Sequence, residues 1–294
     1  MFKTYYKLAK PGIIYGNAIN AIAGFLLASQ DGYDFRLLMI TLIGISLIVA
    51  SACVFNNIWD AEIDAKMERT KNRAMAVKSI TKSNAAVYGG LLFMLGATIL
   101  HYHINDAALF AASFGFLVYV FLYTPLKRHT IYATQIGAVA GAMPAVAGYT
   151  AITNNFDLGA GILFLIIALW QMPHFYAIAI YRMDEYAAAG VPVLSVKKGI
   201  NFTKISTLIY LIAFTASTSL LTVYGLTGYL YLAVMLLLGL IWLYKGVKGL
   251  SARGGSAFGG KVADDILWAK KMFRLSLIII LAFCVIIPID KFFK

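Results

Sequence analysis

The chain has 294 residues, 61% of them hydrophobic and 13% charged, with a mean hydropathy of +0.79. Soluble domains carry roughly 25% charged residues, so a water-soluble globular protein is excluded and an integral membrane protein is expected. The net charge of +12 calls for no nucleic-acid partner, because basic residues flanking apolar segments set topology and attract anionic lipid headgroups.

Apolar runs near the roughly 20 residues that cross a bilayer fall at about 12–29, 37–58, 84–104, 107–125, 131–152, 158–181, 203–223, 226–244 and 272–289. They lack the alternation of a membrane barrel, and backbone groups in lipid must pair within their own segment. The expectation is an all-α integral membrane protein with about nine transmembrane helices, forming one domain over 1–294. With the N-terminus cytoplasmic and the C-terminus outside, 22 of the 25 Lys and Arg residues lie in cytoplasmic connections, leaving Arg36, Lys291 and Lys294 outside. Residues 1–10 lead into the first span without a small-residue cleavage site, so that helix is expected to be retained. Cys53 and Cys284 fall inside apolar runs and read as small buried hydrophobes rather than a disulfide or metal pair.

The second span ends in NNIWDAEIDAKMERTKNR, residues 56–73. Asn56, Asp60 and Asp64 recur every four residues, which on a continuing helix makes one slowly drifting stripe about 12 Å long. Carboxylates one turn apart can each give an oxygen to Mg²⁺, a hard ion that fills its octahedron with water and substrate phosphate. Asn57 could add a neutral oxygen, whereas Glu62 lies on the other side of the helix and should be solvated. Arg69, Lys71 and Arg73 follow at once and supply donors for phosphate oxygens. The competing reading is that interfacial charges only stop the helix. It suits the bases better than the acids, since carboxylates do little for topology and cost desolvation energy beside lipid.

Further along, YTPLKRHT at 123–130 closes the fourth span with Lys127 and Arg128, and His129 beside them is a minor candidate for a substrate carboxylate. His101 and His103 should be solvated. In the sixth span, WQMPHFY carries Pro173, a kink former, and His174, about 12 Å in from the polar end by helical rise. A histidine at that depth should face the bundle interior, where it could ligate a metal, hydrogen-bond a substrate or pair with another helix. The segment YRMDEYAAAGVPVLSVKKG, 181–199, offers Asp184 as a second metal-binding acid, with Glu185, Lys197 and Lys198 nearby. SARGGSAFGG, 251–260, lacks the ending of a phosphate-binding loop and is expected to be a mobile connection. Trp59 and Trp268 read as interfacial anchors.

The Asn-x-x-x-Asp-x-x-x-Asp stripe, with a polar cluster after the sixth span, resembles the UbiA-type intramembrane prenyltransferase superfamily. CVFNNIWDAEIDAKMERTKNRAM, YTPLKRHTIYATQIGAVAGAMPAVAGY and LWQMPHFYAIAIYRMDEYAAAGVPVLSV are similar to the protoheme IX farnesyltransferase (haem O synthase) branch, a resemblance that runs from KPGIIYGNAINAIAGFLLAS to KVADDILWAKKMF. It implies a helical bundle around a membrane-open cavity in the bacterial plasma (inner) membrane, with the active site on the cytoplasmic side. The implied reaction is Mg²⁺-assisted farnesyl transfer from farnesyl diphosphate to a vinyl group of haem B, which is a substrate, giving haem O. Terminal oxidase or haem A synthesis proteins are the implied partners. Carried over, Asn56, Asp60 and Asp64 are catalytic and metal-binding. Asn57, Arg69, Lys71, Arg73, Lys127, Arg128, Lys197 and Lys198 bind diphosphate, and His174, Tyr176 and Tyr181 bind the acceptor, with His174 also a candidate haem-iron ligand. Tyr123 and Tyr149 join Tyr176 and Tyr181 as aromatics that could face a cation. One departure is that Asp184 is followed four residues on by Ala188, which puts a second metal site in doubt. A prenyltransferase for a quinone precursor or chlorin is the nearer alternative, and a secondary transporter the more distant one.

Overall fold

A computed structural model describes residues 2–29, 32–251 and 260–293. The glycine-rich stretch expected to be a mobile loop falls almost wholly outside these described residues. Within them the chain is helical, and nine helices are long and apolar enough to cross a membrane. In chain order the elements are α1 (Phe2–Leu8), α2 (Pro11–Ala28), α3 (Phe35–Asp64), α4 (Lys82–His103), α5 (Asp106–Leu117), a π-helical stretch (Val118–Tyr123), α6 (Thr124–Leu126), α7 (Ala133–Thr153), α8 (Leu158–Tyr181), α9 (Met183–Ala188), α10 (Leu194–Val223), α11 (Tyr229–Ser251) and α12 (Gly260–Asp290). α5, the π-helical stretch and α6 together make the fourth span.

Local chemistry sets where these helices begin. Asp34, Thr81, Asn105 and Asp157 each accept a hydrogen bond from the backbone N–H three residues on, which satisfies a donor that the first turn leaves bare. Pro11 opens α2, where its missing N–H costs nothing. Three helices extend well past the apolar runs. α3 continues to Asp64, α10 begins at Leu194, with Gly199 (φ 82°) breaking its first turns, and α12 begins at Gly260. Hydrophobicity marks only the part in lipid, while the helices project into the headgroup zone.

The spans form a closed ring, with α12 returning to pack on both α2 and α8. α7 is the most enclosed, touching α2, α5 and α8, while α4 and α11 lie at the rim and turn Val87, Leu91, Met94, Leu95, Leu237 and Leu240 outward. In water such a surface would aggregate; in hydrocarbon it is the proper solvent-facing layer. The interior is packed with small residues, among them Ala138, Ala142, Ala145 and Ala147 of α7. At the α2–α7 crossing a Cβ on Gly24 would collide with the Ala145 carbonyl oxygen, and one on Gly148 with that of Ala21. Close backbone approach through small residues is how helices associate where lipid supplies no hydrophobic drive.

Both obstacles are backbone atoms, so no rotamer change can relieve them. Gly148→Val should therefore destabilise the protein by about 1–3 kcal/mol, read as a lowered unfolding midpoint in detergent, whereas Gly161→Val, with open space around the glycine, should leave that midpoint unchanged.

Candidate active site

Because α3 remains helical to Asp64, the stripe expected from its spacing forms. Asn56, Asn57, Asp60 and Asp64 are all buried, at 2%, 2%, 3% and 4% exposure, while Glu62 is exposed. Two carboxylates in that position need cations, and Asn56, Asp60 and Asp64 each receive one from a different part of the chain. Lys10, at the α1–α2 junction, donates to Asn56 Oδ1. Lys127, just after α6, pairs with Asp60. Arg73, in the connection after α3, grips both oxygens of Asp64, at 3.0 and 2.9 Å. Asn56 also donates to the Thr124 hydroxyl (2.9 Å), which donates to the Tyr119 carbonyl (2.8 Å). Asn57 donates to the Leu8 carbonyl at 2.7 Å and so fastens α1 over the end of α3.

Lys10, Thr124 and Tyr119 were not among the residues singled out in the sequence. Lys10 is held at φ 53°, ψ 67° immediately before Pro11, a conformation disfavoured for a side chain with a Cβ and for any residue preceding proline. Burial pushes its ammonium down to about 8, with Arg73 and Lys127 adding repulsion against the weaker attraction of Asp60. The available signal was slight: a lone lysine before a proline at the mouth of the first span.

The π-helical stretch lies at the same end of the bundle. Such bulges are rare and concentrate at functional sites. Here Tyr119 stacks on Tyr123 at 5.2 Å, and the Lys127 ammonium lies 5.6 Å from the Tyr123 ring centroid. Gly137 of α7 makes room, since a Cβ there would approach the Tyr123 ring to 2.9 Å. Arg128 donates to the Trp59 carbonyl.

Other expected site residues are dispersed. Arg69 is 44% exposed and lies 3.9 Å from Glu185, which is held more closely by Arg182 at 3.1 Å. Lys71 pairs locally with Glu68. Asp184, Lys197 and Lys198 are exposed, and no ion pair among the described residues ties them to the stripe. Tyr149 sits at the opposite end of α7, where its hydroxyl donates to Asp157 at 3.1 Å, so it is a structural anchor rather than a cation-facing aromatic.

The three acceptor candidates do not share one face. His174 stacks on Trp170 (5.1 Å) and lies 4.9 Å from Phe273, whose ring edge also meets Tyr181 at 5.8 Å. Tyr176 faces the other way, accepting from Gln135 at 3.2 Å and meeting Tyr210. His174 Nδ1 lies 2.7 Å from the Ser276 hydroxyl, which gives its own proton to the Phe273 carbonyl at 2.6 Å. The imidazole must therefore donate from Nδ1, leaving the Nε2 lone pair as its acceptor.

This architecture and sequence have relatives. The model of the UbiA prenyltransferase family matches residues 17–257. A protein of Protochlamydia amoebophila named protoheme IX farnesyltransferase is 47% identical over 290 residues, 99% of each chain. This chain belongs to the UbiA prenyltransferase family. Among solved structures of similar fold, one concerning digeranylgeranylglyceryl phosphate synthase in membranes superposes with a TM-score of 0.78 at 20% identity, covering 98% of both chains. A UbiA homolog from Archaeoglobus fulgidus bound to GPP and Mg²⁺ superposes at 0.70 with 12% identity, covering 97% of this chain and 99% of that one. At these identities the likeness concerns the fold.

In this UbiA prenyltransferase no group of three or more His, Cys, Asp or Glu side chains is placed to enclose a metal among the described residues. The stripe nonetheless fits Mg²⁺. Asp60 Oδ1 and Asn57 Oδ1 are buried without a partner, and hard oxygen donors in small number suit an ion that keeps water and substrate phosphate in its shell.

The Asp60–Lys127 pair is nearly dry, with side chains 4% and 17% exposed. Lys127→Met should cost about 3–5 kcal/mol by stranding the carboxylate, and Asp60→Asn/Lys127→Met should regain most of that loss. A double-mutant cycle on unfolding in detergent measures both.

Proposed function

We propose that this chain is a protoheme IX farnesyltransferase, transferring the farnesyl group of farnesyl diphosphate to a vinyl group of haem B, with addition of water, to make haem O. The observation that carries the reading is the convergence of three cations from three segments on one buried stripe of two carboxylates and two carboxamides. The whole-length relationship to proteins named for this activity supports haem over a quinone precursor or chlorin as acceptor. A transporter would be expected to bind near the midplane at interrupted helices, whereas these polar groups gather at one end.

Bond by bond, the farnesyl C1–O bond breaks with its electron pair going to diphosphate, the vinyl π pair forms the new C–C bond, and water adds to the remaining porphyrin-stabilised cation with loss of a proton. Asn56, Asn57, Asp60 and Asp64 are the residues that would hold Mg²⁺, which when bound neutralises charge on the departing diphosphate. Lys10, Lys127 and Arg73 turn from the stripe to the diphosphate oxygens. Donors already in place where charge develops act with little reorganisation, which is the main source of such catalysis. Tyr119 and Tyr123 present ring faces beside Lys127, positioned to meet an allylic cation, and the apolar wall excludes water until the C–C bond has formed. Arg69, Lys71, Arg128, Lys197, Lys198 and Asp184 lie outside this inner set and serve, in this reading, the electrostatic approach of the anionic substrate. In this reading the site faces the cytoplasmic side of a bacterial plasma membrane, which the excess of basic residues at this end supports, and haem O passes from there to terminal oxidases.

The test is purified protein with Mg²⁺, farnesyl diphosphate and haem B, read by mass spectrometry for haem that has gained a farnesyl group and water. Asp64→Ala should lower turnover on the order of 10²–10³-fold while leaving the protein folded, and Lys10→Met should do so less severely, with Lys10→Arg recovering part. Farnesylation of an aromatic acceptor with haem B untouched would overturn the acceptor assignment; full activity in Asp64→Ala would overturn the stripe.

A further inference from the structure

Between α1 and the 69–79 segment lies a cleft of about 380 Å³ lined by Lys3, Lys7, Arg69 and Arg73, with Asn57 and Asn72 beside them and no carboxylate among its lining residues. The hydroxyl of Thr4 adds another donor, while that of Ser79 is given to the Ala74 carbonyl at 3.2 Å. Its charge is handled differently from that of the stripe, where every cation has a close partner. Here only Arg73 is closely neutralised, by Asp64. Arg69 reaches Glu185 only at 3.9 Å, and that carboxylate is already held by Arg182. Lys3 and Lys7 have no ion-pair partner among the described residues. They lie one turn apart on α1, so they project from one face.

That face is held in place. Asn57 donates to the Leu8 carbonyl at 2.7 Å, and the Tyr5 ring meets Tyr88 edge-on at 5.0 Å. Asn57, buried at 2% exposure, lines the cleft at its boundary with the stripe. Like charges gathered in a concave, partly desolvated site repel one another until an anion enters. Amide and hydroxyl donors interleaved with ammonium and guanidinium groups suit phosphate oxygens.

We propose that this cleft is a phosphate-binding site adjoining the acid stripe, with Arg73 and Asn57 at the boundary between them. Two sources of phosphate fit: inorganic diphosphate leaving the stripe, and the headgroup of an anionic phospholipid under which α1 lies. The first source rests on the proposed function; phosphate binding itself does not.

The test uses the full-length protein in phosphatidylcholine discs without Mg²⁺. Titrated with inorganic diphosphate, wild type should bind one diphosphate more per chain than Lys3→Gln/Lys7→Gln, and Lys3→Arg/Lys7→Arg should behave as wild type. In discs that also contain phosphatidylglycerol, loss of that extra diphosphate together with lipid retained in native mass spectrometry identifies the headgroup as the occupant; its persistence identifies diphosphate. Retention of phosphatidylglycerol should fall roughly thirtyfold in the glutamine variant, the order expected for two interfacial lysines. Equal diphosphate stoichiometry and equal lipid retention in wild type and the glutamine variant overturn the proposal. None of these readouts depends on turnover, so they stand or fall apart from the farnesyl transfer reading.

Discussion

A buried carboxylate at the edge of a bilayer must be neutralised, and most of this structure near the polar end can be traced to that requirement. Leaving such a charge unpaired costs several kcal/mol, so Asp60 and Asp64 dictate where Lys127 and Arg73 go, and with them the chain on either side. Asn56 carries no charge, yet it takes Lys10 and Thr124 at once. One face of one helix thus fixes the α1–α2 junction, the end of the fourth span and the connection after α3. In the proposed function the same pairs prepare the site for its substrate. A cation that holds an acid in the free protein is already desolvated and within reach when a diphosphate arrives, so much of the cost of gathering positive charge is met by folding.

Two local distortions accompany this arrangement, and both put a functional side chain where regular geometry would not. Lys10 adopts the left-handed region although it has a Cβ and precedes proline, a cost of about 1–3 kcal/mol that the Lys10–Asn56 and Asn57–Leu8 bonds hold in place. The π-helical stretch widens the fourth span by one residue in its turn, which brings Tyr119, Tyr123 and Lys127 into a continuous file beside Thr124. Elsewhere the bundle is tightly packed, as at Gly24 and Gly148. Local strain held by a stiff scaffold is what a preorganised polar site requires.

How far the sequence reveals this depends on the range of the interaction. The nine spans were legible because apolar runs and bilayer thickness share one length scale. The stripe was legible because four-residue spacing is a property of a single helix. Partners were not, because Lys10 and Asn56 are 46 residues apart, and Lys127 and Asp60 are 67 apart. Among Arg69, Lys71 and Arg73, only the turns of the 65–80 segment decide which arginine reaches Asp64, and no periodicity encodes them. Tyr149 misleads for the same reason: composition gives its chemistry but not the end of α7 on which that chemistry acts. The opposition of His174 and Tyr176 was accessible, since residues two apart on a helix point about 200° apart.

The distribution of polarity also constrains where the reaction takes place. Polar groups able to hold a diphosphate occupy one end of the bundle, and the farnesyl tail, being apolar, lies along the interior away from it. The reacting carbon joins the two, and the proposed function puts it just inside the depth of Asp60, beside Tyr123 and Tyr119. An acceptor as large as a porphyrin can reach that depth only from the lipid side or along a seam between helices. The α8–α12 seam, where Trp170, His174, Tyr181 and Phe273 gather, presents flat aromatic surfaces and an imidazole whose Nε2 keeps its lone pair. Arg182, which follows α8 and lies over the Tyr181 ring, holds Glu185, and Glu185 also faces Arg69 of the α1 cleft, so in the proposed reading the acceptor seam and the anion cleft are linked through one carboxylate.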